Sequence, residues 1–475
     1  MRGRLLGSVL LAVILFFAAG IVYMWASPRV VAFSPAQGEY SVPAGAALQL
    51  TFSRPMQTDS VAGRLESAPA RSGEYTWQDE KNLLFRPDRP WPYGERVKVV
   101  LKPGARSAGL LSLPIEGEQS WSFEIGYPRL AYLYPADGPA DIYILDLESQ
   151  ETRRLTDSPG QVLDFSITFN GSAIYYNTSQ GDGGSTIYRM DIPAESDQPL
   201  ARATMILRCA QALCRYPNES PNGSYLAYER TSFSDGAQPD EPQVWLLSLK
   251  GGQDASSGPA RKPFLADQSD HETQYPMWSP SGRLTYYDHT REAFVIRYPE
   301  SQQFDLFPSQ TGIQGDWAPQ GDYFVIPEIF VEEAGSSTGV TDLEATASSH
   351  LLRYTSQSGM VEDMTRMNDL EDTTPLFSPD GGWLAFTRQF LDIASWTPGR
   401  QIWVMRPDGS QARQVTQEPH YNHYDLAWHP DGERLAYVRF NQTLLTEPPE
   451  IWMIDLQTGV PTRLVQGGYA PQWIR

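Results

Sequence analysis

The sequence predicts an all-β protein, a seven-bladed β-propeller preceded by a small β-sandwich and one N-terminal transmembrane helix. Three observations predict it. A hairpin of fixed design recurs from residue 130 to the end, a different rhythm of strands and turns fills residues 29–126, and an uncharged apolar run opens the chain. A chain of 475 residues is also too long for one compact core. Its 13 Trp, 24 Tyr, 38 Gly and 38 Pro favour many short strands and turns over helices. The net charge of −20 argues against nucleic acid or an anionic lipid surface as partner, because both require a basic face.

Residues 1–28 form the first element. Leu5–Trp25 carries no charge, and a helix rising about 1.5 Å per residue spans the hydrocarbon core over that length. Arg2 and Arg4 precede the run, which keeps the N-terminus in the cytoplasm and exports the rest. A cleaved signal peptide is the alternative. No A-x-A site follows, only Met24-Trp25-Ala26-Ser27, so an uncleaved signal-anchor is expected. The expected location is therefore the cell membrane, single-pass, with everything after Ser27 extracytoplasmic.

In residues 29–126, strand-like runs at Ala47–Phe52, Leu83–Pro87, Arg96–Leu101 and Trp121–Ile125 are separated by Pro and Gly clusters, as in a sandwich. The pieces L-T-F-S-R-P-M (Leu50–Met56), W-Q-D-E-K-N-L-L-F-R-P (Trp77–Pro87), Y-G-E-R-V-K-V (Tyr93–Val99) and W-S-F-E (Trp121–Glu124) resemble the bacterial Ig-like domain of surface-layer and other exported proteins. The resemblance implies a spacer or adhesion module without catalysis.

From residue 130 to 475 the unit is L-F-S-P-D-G-G-W-L-A-F-T-R (Leu376–Arg388). It has two apolar runs folded back by a turn in which proline pre-sets one φ and glycine takes φ > 0. It recurs at Tyr275–Tyr287 and Asp425–Val438, more weakly at Asp316–Ile326 and Tyr216–Tyr228, and most weakly at Asp164–Tyr176. The closing glycines Gly171, Gly223, Gly282, Gly321, Gly381 and Gly432 are spaced by 52, 59, 39, 60 and 51 residues, a blade period with insertions. Third strands such as Gln401–Met405 and fourth strands such as Thr462–Val465 follow, and four strands make a blade. Leu130–Thr156 reads as strands two to four of a further blade. Tyr469–Arg475 reads as its missing first strand, so the ends join and no edge strand is left over. Six or eight blades are the alternatives. Trp278–Gly282, Leu384–Phe386, Ile402–Met405 and Arg463–Leu464 resemble the TolB-type (WD40-like) propeller repeat, which also occurs beside the catalytic domain of prolyl-oligopeptidase-like enzymes. Fold alone does not choose between those functions.

Strand direction alternates within a blade, so the P-x-G turns line one face and the second-to-third connections line the other. Long insertions are expected on that second face: Thr231–Pro242, Glu332–Ser349, Gln389–Arg400 and Phe440–Pro449. Two are apolar, and Phe390, Leu391, Trp396, Leu444 and Leu445 are the candidate partner-binding residues; Ile393 belongs to the same run. The alternative is that these loops fold down over their own blades. Asp164, Tyr216, Tyr275, Gln314, Thr374 and Asp425, with Ala470 in the closing strand, begin the inner strands and are expected to ring a central funnel.

Chemical signals are thin. His420 and His423 with Asp425 are weak zinc candidates, with His429 close by in sequence, because H-x2-H in a loop lacks a fixed third ligand. Gly335–Gly339 matches G-x-S-x-G by chance, outside any strand-to-helix elbow. Cys209 and Cys214 are a candidate disulfide. No cofactor and no metal are expected. The expected function is that of a membrane-anchored, extracytoplasmic binding or scaffold protein, not an enzyme, whose propeller recognises an envelope protein or peptide. The alternative is an exported propeller hydrolase or lyase acting on glycan or peptide in the funnel, with Asp164, Asp425 and Asp316 as its evident carboxylates.

Overall fold

The computed structural model describes residues 27–474 apart from 40, 41, 43, 110–111, 159–160, 182, 194–200, 234–237, 250–262, 333–345 and 357. The chain divides into two compact units, Met1–Tyr127 and Pro128–Arg475. The expected transmembrane run Leu5–Trp25 and the string Gly335–Gly339 lie outside the described residues. Among those described, no helix is long and apolar enough to cross a membrane.

In the first unit, strands alternate inward apolar and outward polar residues, which packs one face of each sheet on the other. Val30–Ser34, Leu48–Phe52, Asn82–Pro87 and Gly73–Trp77 form one antiparallel sheet in that order. Leu65–Ala68, Arg96–Leu101 and Gln119–Glu124 form the second. Leu48, Leu50, Phe52, Phe85, Val97, Val99, Leu101 and Phe123 fill the space between them, each worth roughly 1.5–3 kcal/mol of transfer free energy. Trp91 is buried among them, with its indole N–H donated to the Ala46 carbonyl at 2.9 Å. The strands Leu65–Ala68 and Gly73–Trp77 escape the sequence reading because L-E-S-A and G-E-Y-T-W carry little apolar signal; Val30–Ser34 is a further strand that it does not name.

The second unit is a β-propeller; among the described residues its strands fall into antiparallel groups of four, labelled I to VII in order around the repeat. Sheet I joins the C-terminal strand Tyr469–Ile474 to Arg129–Tyr134, Asp141–Asp146 and Thr152–Arg154. Sheets II to VII begin with the first strands Val162–Ile167, Ala212–Glu219, Thr273–Trp278, Asp316–Trp317, Leu370–Phe377 and Tyr421–Trp428. Sheets V and VI are continuous through one parallel bridge, Ser349 to Glu371. The first strands touch in succession from V through VI, VII, I, II and III to IV, so they are the inner strands.

Two sequence features hold this arrangement. At Gly282 and Gly381 the turn reaches φ of 83° and 70°, where a Cβ is strained. Tryptophans near the ends of inner strands sew neighbouring sheets together. Trp278, Trp428 and Trp473 donate their indole N–H to the carbonyls of Asn218, Leu376 and Ala427 in the preceding sheet, at 2.9, 2.9 and 3.0 Å. The apolar ring fills the gap between sheets while its polar edge finds an inner-strand acceptor. Thr156 of R-R-L-T (Arg153–Thr156) and Thr416 of R-Q-V-T (Arg413–Thr416) each cap a third strand, with Ile142 N–H on Thr156 Oγ1 and Ile402 N–H on Thr416 Oγ1, both at 2.9 Å.

The expectation about insertions needs correction. Second-to-third connections are long in sheets III, V, VI and VII, but the third-to-fourth connections 192–203 and 249–263 of sheets II and III are long too. Those two leave on the face of the P-x-G turns. Loop length alone therefore does not single out one face.

Candidate functional site

Every inner strand except the short Asp316–Trp317 of sheet V carries a bulge at the positions that the sequence puts in the funnel. The ladder shifts register at Val162/Asp164, Arg215/Asn218, Gln274/Met277, Thr373/Leu376, Tyr424/Ala427 and Tyr469/Gln472. Tyr216, Tyr275, Thr374, Asp425 and Ala470 occupy these bulges with φ of 53°, 57°, 51°, 47° and 50°, a left-handed conformation that side chains rarely adopt. A bulge frees a backbone N–H from its ladder, and a carboxylate from the preceding sheet accepts it. Asp164 takes Tyr216 N–H at 3.0 Å, Glu229 takes that of Tyr275 at 3.3 Å, and Asp425 takes that of Ala470 at 3.2 Å. Asp316 of sheet V likewise reaches the next sheet, accepting Phe377 N–H at 2.8 Å just past the bulge of sheet VI. Gln314 lies just ahead of the short inner strand of sheet V and is exposed.

Asp164 and Asp425 thus act as latches between sheets. Asp164 also holds the Arg215 guanidinium at 3.1 Å and donates its backbone N–H to Asn177. Burial still pushes its carboxyl above the usual range, against Arg215, Tyr216 N–H and Asn177. Burial raises Glu229 as well, against Tyr275 N–H and Arg215. Asp425 is exposed to water, yet the surrounding protein raises its carboxyl against the Ala470 N–H. Its charge lies close enough to Tyr424 and Tyr469 to raise both phenols further, beyond the effect of their burial. Around the ring, Tyr216 and Tyr275 approach at 6.3 Å between ring centroids, and the Arg215 guanidinium lies 4.7 Å over Tyr216.

The two apolar loops are held by their own backbones. In the loop of sheet VI, Asp392 Oδ1 accepts the N–H groups of Ala394 and Ser395, and Gln389 Nε2 donates to Thr397 O at 2.7 Å. In that of sheet VII, Asn441 Oδ1 accepts from Thr443 and Leu444 N–H, and its amide donates to Glu447. These loops leave Ile393 99% exposed, Trp396 53%, Leu444 47% and Leu445 75%. Phe390 and Leu391 depart from the expectation. Both are half-buried, and Phe390 packs edge-on against Trp403 of its own sheet at 6.1 Å, so they are not part of the exposed set.

His420 and His423 do not form a metal pair. His423 is buried, with Nδ1 on the Arg400 carbonyl at 2.7 Å and Nε2 facing Glu418 at 3.3 Å, so protein groups already engage both ring nitrogens. His420 is exposed. Cys209 and Cys214 are bonded, tying the outer strand of sheet II to the inner strand of sheet III.

Sequence reading missed three ionic clusters at this end of the propeller, because their members are far apart along the chain. Arg439 bonds Glu418 and reaches Glu450 at 3.1 Å, and its guanidinium stacks 3.9 Å from the Trp452 ring and 4.3 Å from that of Tyr421. His423, then Arg439, pull the Glu418 carboxyl down to about 2 against the effect of burial. Asp372 and Arg388 form a buried bidentate pair at 2.7 and 2.8 Å. The ligand atoms of Asp267, His271 and Asp288 lie within 4.8 Å of one another. The Arg291 guanidinium bonds both carboxylates there, at 2.9 Å to Asp267, and supplies the positive charge that a metal would bring. Only Arg291, three residues past Asp288, was a usable signal for that cluster.

Comparison with known proteins adds the following. Residues 26–125 match the family model of the bacterial Ig-like domain. The chain is similar in fold to a putative TolB from Agrobacterium tumefaciens, at 16% identity over 73% of this chain and 92% of that one, with a TM-score of 0.38. TolB from Acinetobacter baumannii is similar at 14% identity over 73% and 66% of the two chains, with a TM-score of 0.40. Puromycin hydrolase is similar at 16% identity over 76% of this chain and 53% of its own length, with a TM-score of 0.48.

Proposed function

We propose that this chain, which joins a bacterial Ig-like domain to a TolB-like β-propeller, is an anchored binding protein whose seven-bladed propeller recognises a protein or peptide of the cell envelope. One observation carries the reading. Ile393, Trp396, Leu444 and Leu445 are presented to solvent by loops that hydrogen bonds hold in place. Exposed apolar side chains on a preorganised frame lose little conformational entropy on binding, and tryptophan is enriched among residues that dominate interface energy. The uncharged run Leu5–Trp25 and the Cys209–Cys214 bond support an anchor and an extracytoplasmic location, since disulfides persist in oxidising compartments. In this reading the Ig-like domain is a spacer and no cofactor is required.

The test is crosslinking of the full chain in its native cells, with wild type beside a Trp396→Asp, Leu444→Asp double variant. A discrete adduct is expected with wild type and its loss with the folded variant. No adduct, or one indifferent to the variant, overturns the reading. The alternative is then an enzyme in the funnel. It draws support from the water-accessible Asp425 carboxyl, raised by its surroundings, and turnover of glycans and peptides by the intact chain tests it.

A further inference from the structure

Sheet V holds a relay that neither the exposed loops nor the inner ring uses. Ser348 and His350 lie two residues apart on its third strand, Thr346–Thr355, and so share a face. Ser348 Oγ stands 3.1 Å from His350 Nε2, and His350 Nδ1 stands 2.7 Å from Asp363 Oδ2. Asp363 closes the next strand, Met360–Asp363, and its other oxygen accepts the N–H groups of Thr365 at 3.1 Å and Arg366 at 3.0 Å. A carboxylate only accepts hydrogen bonds, so Nδ1 carries the ring proton and Nε2 offers its lone pair to the serine hydroxyl. Phe330, paired with Ser348 across the ladder, stacks on the imidazole at 4.6 Å and fixes its plane. Ser348 and His350 are both buried, in surroundings that strengthen these bonds.

A second observation points to a ligand beside the relay. Glu328 stands directly across the ladder from His350 and is 7% exposed. One of its oxygens accepts Gln310 N–H at 3.1 Å, while Oε2 has no hydrogen-bond partner among the described residues. An unmet buried acceptor is costly, and a donor on an incoming molecule would relieve it.

We propose that Ser348, His350 and Asp363 are nucleophile, general base and positioning carboxylate, and that Ser348 accepts acyl groups from esters bearing a hydrogen-bond donor. As the Oγ–carbon bond forms, the hydroxyl proton passes to His350 Nε2. The carbon–oxygen bond to the leaving alcohol then breaks, and the alcohol departs with that proton. Water, deprotonated by His350, attacks the acyl group, releases the acid and returns the proton to Ser348. The assignment goes beyond the partner-binding reading and does not rest on it.

Diisopropyl fluorophosphate on the full chain tests it, because the Oγ–phosphorus bond forms as fluoride leaves and the proton goes through His350 to water. Peptide mapping by mass is expected to place a single adduct on Ser348. His350→Asn should slow labelling by about 100-fold or more. Ser349→Ala should label as wild type, since the Ser349 hydroxyl donates to the Asp372 carbonyl on the other face of the strand. Absence of an adduct, an adduct elsewhere, or labelling of Ser348 no faster in the native protein than in urea overturns the proposal without requiring any variant to fold.

Discussion

The inner ring and the outer ends of sheets VI and VII both place carboxylates in partly enclosed surroundings, and the outcomes are opposite. Asp164, Glu229 and Asp425 are raised by burial because backbone N–H groups and, for the first two, the single guanidinium of Arg215 do not repay their lost hydration. Glu418 and Glu450 are lowered. Glu418 has His423 and Arg439; Glu450 has Trp452, Arg463 and Arg439, which outweigh the burial acting on it. Geometry is good in both places, and the number of cations makes the difference. The ring positions strands at some cost in stability, whereas the outer cluster holds two sheets and adds stability.

The largest effect that would break this contrast comes from Arg439. Replacing Arg439 with Met keeps the stem that packs on Trp452 and Tyr421 but strands Glu418 and Glu450 together without their shared cation. Truncating one partner of a buried pair costs about 3–5 kcal/mol, and the partial exposure of Glu418 places the expectation near the lower end, about 3 kcal/mol. Urea unfolding of the propeller at neutral pH measures it. A midpoint equal to wild type would mean that the cluster adds nothing and that the contrast fails.

Acid sharpens the same contrast. The Glu418 carboxyl titrates at about 4.5 in an unfolded chain and about 2 in the folded one, so its contribution is complete above about 4.5 and fades as pH falls toward 2. After allowance for its exposure this amounts to about 2 kcal/mol. The ring carboxyls run the other way. Their folded values lie above their unfolded ones, so protonation on the way down relieves a cost. A pH series of unfolding midpoints should therefore fall more steeply below pH 4 in wild type than in Arg439→Met.

Much of the ring was legible in the chain, and little of the outer cluster. Six P-x-G or related turns announce the hairpins, and the glycines at 282 and 381 take the φ > 0 they were expected to take. The funnel positions were found from repeat alignment alone, and five non-glycine residues there share one strained conformation. Their role was not legible, because Asp164 and Asp425 act on backbone atoms of the next sheet, 52 and 45 residues away along the chain. The Glu418–Arg439–Glu450 cluster and the Ser348–His350–Asp363 relay join different strands with no repeating motif, so local pattern carries no trace of them. Loop burial was equally hidden. Phe390 and Trp396 look alike in sequence, yet only Trp396 stays exposed, because Phe390 ends a strand whose neighbour presents Trp403.

The smallest and most discriminating effect lies at Asp425. Asparagine keeps an oxygen for the Ala470 N–H and the left-handed conformation that Asn adopts more readily than most residues, so the latch and the bulge survive. The substitution removes only the charge, which its surroundings disfavour. Asp425→Asn should therefore raise the melting temperature slightly at pH 7, and the gain should vanish at pH 3, where the wild-type carboxyl is itself neutral. A loss of stability at pH 7 would mean that the ionised form is favoured by a cation or donor in the funnel. In that case the ring would resemble the outer cluster, and the water-accessible face of Asp425 would be a place where positive charge is held.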